Sequence, residues 1–180
     1  MHDKIENLAE LGAGDFLHLD GSLIDHLKGT KKILEHWGAS ICLQDAGLYH
    51  AAYGTAGFSQ SLVSTDQREK IAGIIGDAAE DIVYQYCASD RDIFFSRIGR
   101  DMRPIFPNRF TGESYRLSER MLRDFCELTA ANEIEVAIDN PEFLSQYGVE
   151  LKGLFMQIAP YLSRFAQQHT AEVFGACRAQ

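Results

Sequence analysis

Apolar residues recur at helical spacing along almost the whole of this chain, and that periodicity limits what it can fold into. Leu23, Leu27, Thr30, Leu34 and Trp37 follow one another in steps of three and four. Ile71, Ile75, Ala78, Ala79, Ile82, Val83 and Tyr86 keep to one helical face, as do Met121, Leu122, Phe125 and Leu128. Such steps place side chains on one face of an α-helix, and burying that face is what stabilises it. No segment shows the alternation of a half-buried strand. The pattern predicts an all-α bundle.

Punctuation places the elements. A first helix is expected over residues 3–11, then a glycine-rich loop (Gly12, Gly14, Gly21) carrying His18 and Asp20. Ser22 is a good N-cap for a second helix ending at Gly38, because its hydroxyl can accept from an orphan backbone N–H. A third helix runs from about Ser40 to Tyr53-Gly54. Thr65 or Asp66 caps a long helix through Tyr86, and Asp90 opens a short one to Ile98. Pro104 and Pro107 make the stretch from Arg100 to Pro107 a loop. Ser118 caps a helix to about Ile138, with Glu119 and Glu127 outside. Pro141 marks a loop, and a final helical segment from Val149 to Phe174 is kinked or divided at Pro160.

The totals narrow the function classes. The 180 residues suit one domain spanning 1–180. A net charge of −9 and a pI near 5.1 speak against a nucleic-acid partner, whose phosphates attract basic faces. No apolar run approaches the roughly 20 residues of a membrane span, and the start, Met1-His2-Asp3-Lys4, has no leader pattern. Cys42, Cys87, Cys126 and Cys177 stand singly, which fits a reducing cytoplasm and argues against a cysteine zinc site.

His26 and His50 fall on adjacent predicted helices, an arrangement that can bring two imidazoles to one interior point. A buried histidine satisfied by one hydrogen bond is the plainer alternative. Tyr53-Gly54-Thr55-Ala56-Gly57 adds hydroxyls and flexible backbone beside His50, or else a simple helix end and turn. Arg97, Arg100, Arg103 and Arg109 could contact phosphate or carboxylate, or could be a solvated stretch balancing local acids.

The run from His26 to Leu34 followed by Ala46-Gly47-Leu48-Tyr49-His50 resembles the opening of the HD-domain superfamily, with the nearest likeness to the (p)ppGpp-hydrolase domains of the RelA/SpoT type. Ile75 to Val83 and Leu128 to Ile134 resemble later helices of that family, so the likeness spans about residues 22–138. It implies an HD-like bundle, a divalent metal (Mn, Fe or Zn) on His26 and His50, and a small polar or phosphorylated metabolite as substrate. HD-like folds also support oxygenase chemistry at di-iron centres.

The departures are specific. The family's metal-ligating aspartate is Ala51 here, its water-orienting acids fall on Gly54 and Thr55, and its last ligand aspartate aligns with Asn132. Ordinary metal-dependent (p)ppGpp hydrolysis is therefore not expected. Three replacements are conceivable: His18 with Asp20 swinging over the cleft, Glu133 through a one-residue shift, or Glu80 and Asp81. Each has an ordinary helix or loop role as its counterpart. The expected site thus comprises His26, His50, Tyr53 and Glu133 as candidate catalytic groups, Thr55, Asn132, Arg97 and Arg100 as ligand contacts, and His18, His26 and His50 as candidate metal ligands. The rivals are a non-catalytic binding module that has lost the metal, and a homodimer built on Phe155, Tyr161, Phe165 and Phe174.

Overall fold

The computed structural model describes residues 3–13, 17–18, 21–57, 60–98, 100–101 and 104–178, with the side chains at positions 17 and 18 outside the description. The all-α expectation holds in its coarse form. The helices are α1 (Lys4–Glu10), α2 (Leu23–His36), α3 (Ile41–Tyr49), α4 (Arg68–Ile75), α5 (Asp77–Ala88), α6 (Arg91–Arg97), α7 (Glu119–Ala137), α8 (Pro141–Ile158) and α9 (Arg164–Phe174). Two small antiparallel pairs, absent from the sequence reading, accompany them: β1 (Leu17–His18) with β2 (Gly21–Ser22), and β3 (Ile105–Pro107) with β4 (Ser114–Arg116). Strands of two and three residues are too short to leave an alternating pattern. Among the described residues no helix is long and apolar enough to cross a membrane.

Helix starts follow their caps. Ser22 accepts from the Asp25 N–H, Asp90 from Ile93, Ser118 from Met121 and Ser163 from Ala166. Pro141 does not punctuate a loop: it occupies the first turn of α8, where its missing N–H costs nothing, with Asn140 capping from outside. The last helical segment accordingly begins eight residues earlier than Val149. Pro160 lies in the 3₁₀ turn Ala159–Tyr161 that separates α8 from α9.

Two further expectations are corrected. The predicted single helix through Tyr86 is broken at Gly76, whose φ of 88° and ψ of 153° are open in practice only to glycine. A Cβ there would meet nothing within 4 Å, so Gly76→Ala tests backbone strain alone. It should cost about 1–3 kcal/mol, read as a lower urea midpoint; an unchanged midpoint would show that this break is not fixed. Glu127, expected outside, is buried: its carboxylate accepts from the Ser163 N–H at 2.8 Å and from the Ser163 hydroxyl at 2.5 Å. An acid paired with a helix start can be inside at modest cost, and periodicity does not reveal such a partner.

α7 is the central element. It packs against α2, α3, α5, α8 and α9. Phe125 on α7 sits among Tyr86, Phe94, Phe95 and Phe106, with ring centroids 5.3–6.1 Å away. This aromatic knot fixes α7 against α5, α6 and β3. On the opposite flank α2 lies in the angle between α3 and α7, with Leu23, Leu27, Thr30 and Leu34 buried. The next turn of α7 therefore faces α2 and the end of α3.

Candidate functional site

His26 lies in the first turns of α2 and is 6% exposed; His50 caps the C-terminus of α3 and is 2% exposed. Their rings meet edge to face, with centroids 5.1 Å apart and planes at 80°. The two Nε2 atoms are 3.2 Å apart, and Asn132 Oδ1 on α7 is 3.1 Å from His26 Nε2.

The outer partners decide the protonation. His26 Nδ1 is paired with the carboxylate of Glu135, and His50 Nδ1 lies 2.8 Å from the Gly47 carbonyl. A carboxylate and a carbonyl only accept, so each Nδ1 carries the proton, and a neutral imidazole then presents a lone pair at Nε2. Asn132 Nδ2 donates at 3.1 Å to Glu133, which also accepts from Arg91. The amide oxygen is therefore the end turned toward His26. His50 Nε2 and Asn132 Oδ1 both stand against His26 Nε2, and with neutral imidazoles all three atoms offer lone pairs.

A shared cation, either a proton or a metal ion, would relieve the repulsion among such lone pairs. Donor atoms around an ion with bonds of about 2.0–2.1 Å stand about 3.0–3.4 Å apart, and the spacings here are 3.1 and 3.2 Å. Among the described residues no three His, Cys, Asp or Glu side chains gather as a metal-binding set; the third converging atom is that of Asn132. The outer partners match the usual supports of metal-ligating imidazoles, a carboxylate for one and a backbone carbonyl for the other.

Local sequence makes this arrangement possible. Gly29 lies one turn beyond His26, and a Cβ there would come within 2.6 Å of a Glu135 carboxylate oxygen. The glycine thus opens the approach from α7 to α2. Asn132 and Glu135, three residues apart, share one face of α7 and both reach His26. The turn after His50 is pinned from outside: Cys87 Sγ donates to the His50 carbonyl at 3.0 Å, and Arg109 donates to the Gly54 carbonyl at 3.1 Å. Tyr86 closes the far side, its ring 5.5 Å from that of His50. Burial raises the Tyr86 phenol well above its ordinary range and pushes the Cys87 thiol up to about 12, so both keep their protons at neutral pH.

The remaining predicted residues divide as follows. Glu133 reaches Arg91 and Asn132. Tyr53 belongs to a separate cluster, donating at 2.7 Å to Glu80, which also takes two bonds from Arg68 at 2.7 and 2.6 Å. Burial, then the hydrogen bond to Glu80, raises the Tyr53 phenol, which stays a donor. Glu80 is buried rather than solvated, while Asp81 is largely exposed. Thr55 is buried. Arg97 and Arg100 are exposed; Arg100 lines a cavity of about 770 Å³ with Leu117, Leu122, Arg123 and Tyr161, which includes neither histidine. Arg103, Asp20 and the His18 side chain lie outside the described residues. Of the aromatic C-terminal set, Phe155 and Phe174 are core and Phe165 is exposed.

Sequence reasoning missed Arg91 and gave Glu135 no role. The spacing Asn132-x-x-Glu135 was the available signal for the second; nothing local marks the first.

Residues 7–91 match a family described as a domain of unknown function (DUF6817). No curated protein and no solved structure matches the chain. The matched stretch contains both histidines and Arg91 and stops before α7.

Proposed function

We propose that the chain is a divergent HD-like protein whose site between α2, α3 and α7 holds a divalent cation on His26, His50 and Asn132 and acts on a small polar or phosphorylated metabolite. The approach of two acceptor atoms to His26 Nε2, His50 Nε2 at 3.2 Å and Asn132 Oδ1 at 3.1 Å, supports this reading above all else. When bound, such an ion supplies Lewis-acid polarisation of a substrate oxygen. Two imidazoles and an amide are neutral donors, so the ion's charge is left to be matched from outside, which favours an anionic group on the ligand. Glu135 holds the Nδ1 proton of His26 and fixes its ring, and Gly47 does the same for His50. Tyr86 excludes water from the flank of the His50 ring.

The second reading is a metal-free binding module. The bond between Glu135 and His26 Nδ1 favours it, because that contact orders the ring without any metal. Metal analysis separates the two. After incubation with Mn²⁺, Fe²⁺ or Zn²⁺ and desalting, the protein should retain about one ion per chain, and His26→Ala or His50→Ala should lower the affinity at least about tenfold. Circular dichroism checks that the variants remain folded. A folded wild-type protein that retains no metal leaves the second reading. Nucleotides and sugar phosphates then test ligand class by thermal shift.

A further inference from the structure

We infer that Arg91 and Glu133 are positioning residues that set which end of the Asn132 amide faces the two imidazoles; this rests on the cation-binding reading above. An asparagine amide has the same shape either way round, so packing cannot choose between its oxygen and its nitrogen. Hydrogen bonding can. Asn132 Nδ2 lies 3.1 Å from Glu133 Oε1, and a carboxylate accepts but does not donate. Turned by 180°, the amide would set an oxygen against that carboxylate and an NH₂ toward the cation, and both contacts would be repulsive.

Glu133 needs its own anchor, since a free carboxylate would rotate away. Arg91 supplies it by donating to the same Oε1 atom. Arg91 stands at the start of α6, with its guanidinium 5.9 Å from the Tyr86 ring centre and 5.5 Å from that of Phe95. Side-chain exposures of 19% and 11% leave the Arg91–Glu133 pair little solvent to compete for it. The chain of bonds therefore runs from α6 through Glu133 and Asn132 to His26, and delivers a neutral oxygen where a carboxylate would otherwise be needed.

The test is a double-mutant cycle read by Co²⁺ affinity, followed through the metal's visible absorption. Glu133→Met, which removes the accepting oxygen and keeps most of the volume, should weaken binding by about tenfold or more, in the range of lost outer-shell support. In an Asn132→Asp background the same change should weaken it less than about threefold, because a carboxylate presents an oxygen whichever way it turns. A merely structural Glu133 would cost the same in both backgrounds, and that result overturns the inference, as does no loss in the wild-type background. A wild-type chain that binds no cobalt overturns it together with the cation reading. Should Glu133→Met fail to fold, Arg91→Lys gives the same comparison.

Discussion

Arg91→Ala is expected to destabilise the protein by about 3–5 kcal/mol, the usual cost of leaving one member of a buried ion pair without its partner. Glu133 would keep a charge in a site where its side chain is only 11% exposed, with Asn132 as its remaining donor in that cluster. For a chain of this length, each kcal/mol moves the melting temperature by about 2–4 °C, so a drop of at least about 6 °C is expected. Arg91→Met with Glu133→Gln removes both charges and retains most of the volume, and it should recover the greater part of the loss. A drop of less than 2 °C for Arg91→Ala would show that solvent reaches the pair and screens it.

Phe125→Ala should cost about as much, 3–5 kcal/mol being typical for a large aromatic deleted from a packed core. The ring is 1% exposed and lies among four others, so neighbouring side chains cannot collapse into the space without disturbing contacts of their own, such as the edge-to-face pair Phe94–Phe106. Urea denaturation reads the loss directly, and Phe125→Leu should retain a substantial part of the stability. A value below 1.5 kcal/mol would mean that the knot of Tyr86, Phe94 and Phe106 repacks freely and does not fix α7.

Periodicity and capping made most of the helices legible. The stripes on α2 and α7 and the caps at Ser22, Asp90 and Ser118 are local signals, and the chain obeys them. The same signals failed where the deciding partner was distant. Gly76 interrupts an apolar face that remains in phase across the break, so the stripe reads as one helix. Glu127 appears solvent-facing until Ser163 is placed beside it. In the site, two histidines on neighbouring helices were readable and their outer partners were not. Glu135 meets His26 only because α7 crosses α2 at Gly29, and Arg91 meets Glu133 only because α6 folds back on α7. Neither crossing leaves a mark in a one-dimensional pattern.

The separations involved carry a consequence for how the site comes into being. The two imidazoles are 24 residues apart and belong to a helical hairpin, but Asn132 and Glu135 are 106 and 109 residues from His26. The stretch up to Arg91 holds the histidines without those acceptors. An amino-terminal half in isolation would keep the Gly47 bond to His50 but leave His26 with neither fixed tautomer nor fixed tilt, and opening α7 would dissolve the arrangement. If a cation is held there, its occupancy would gauge closure of α7 on the hairpin, and it is expected to fall before most of the helical content does.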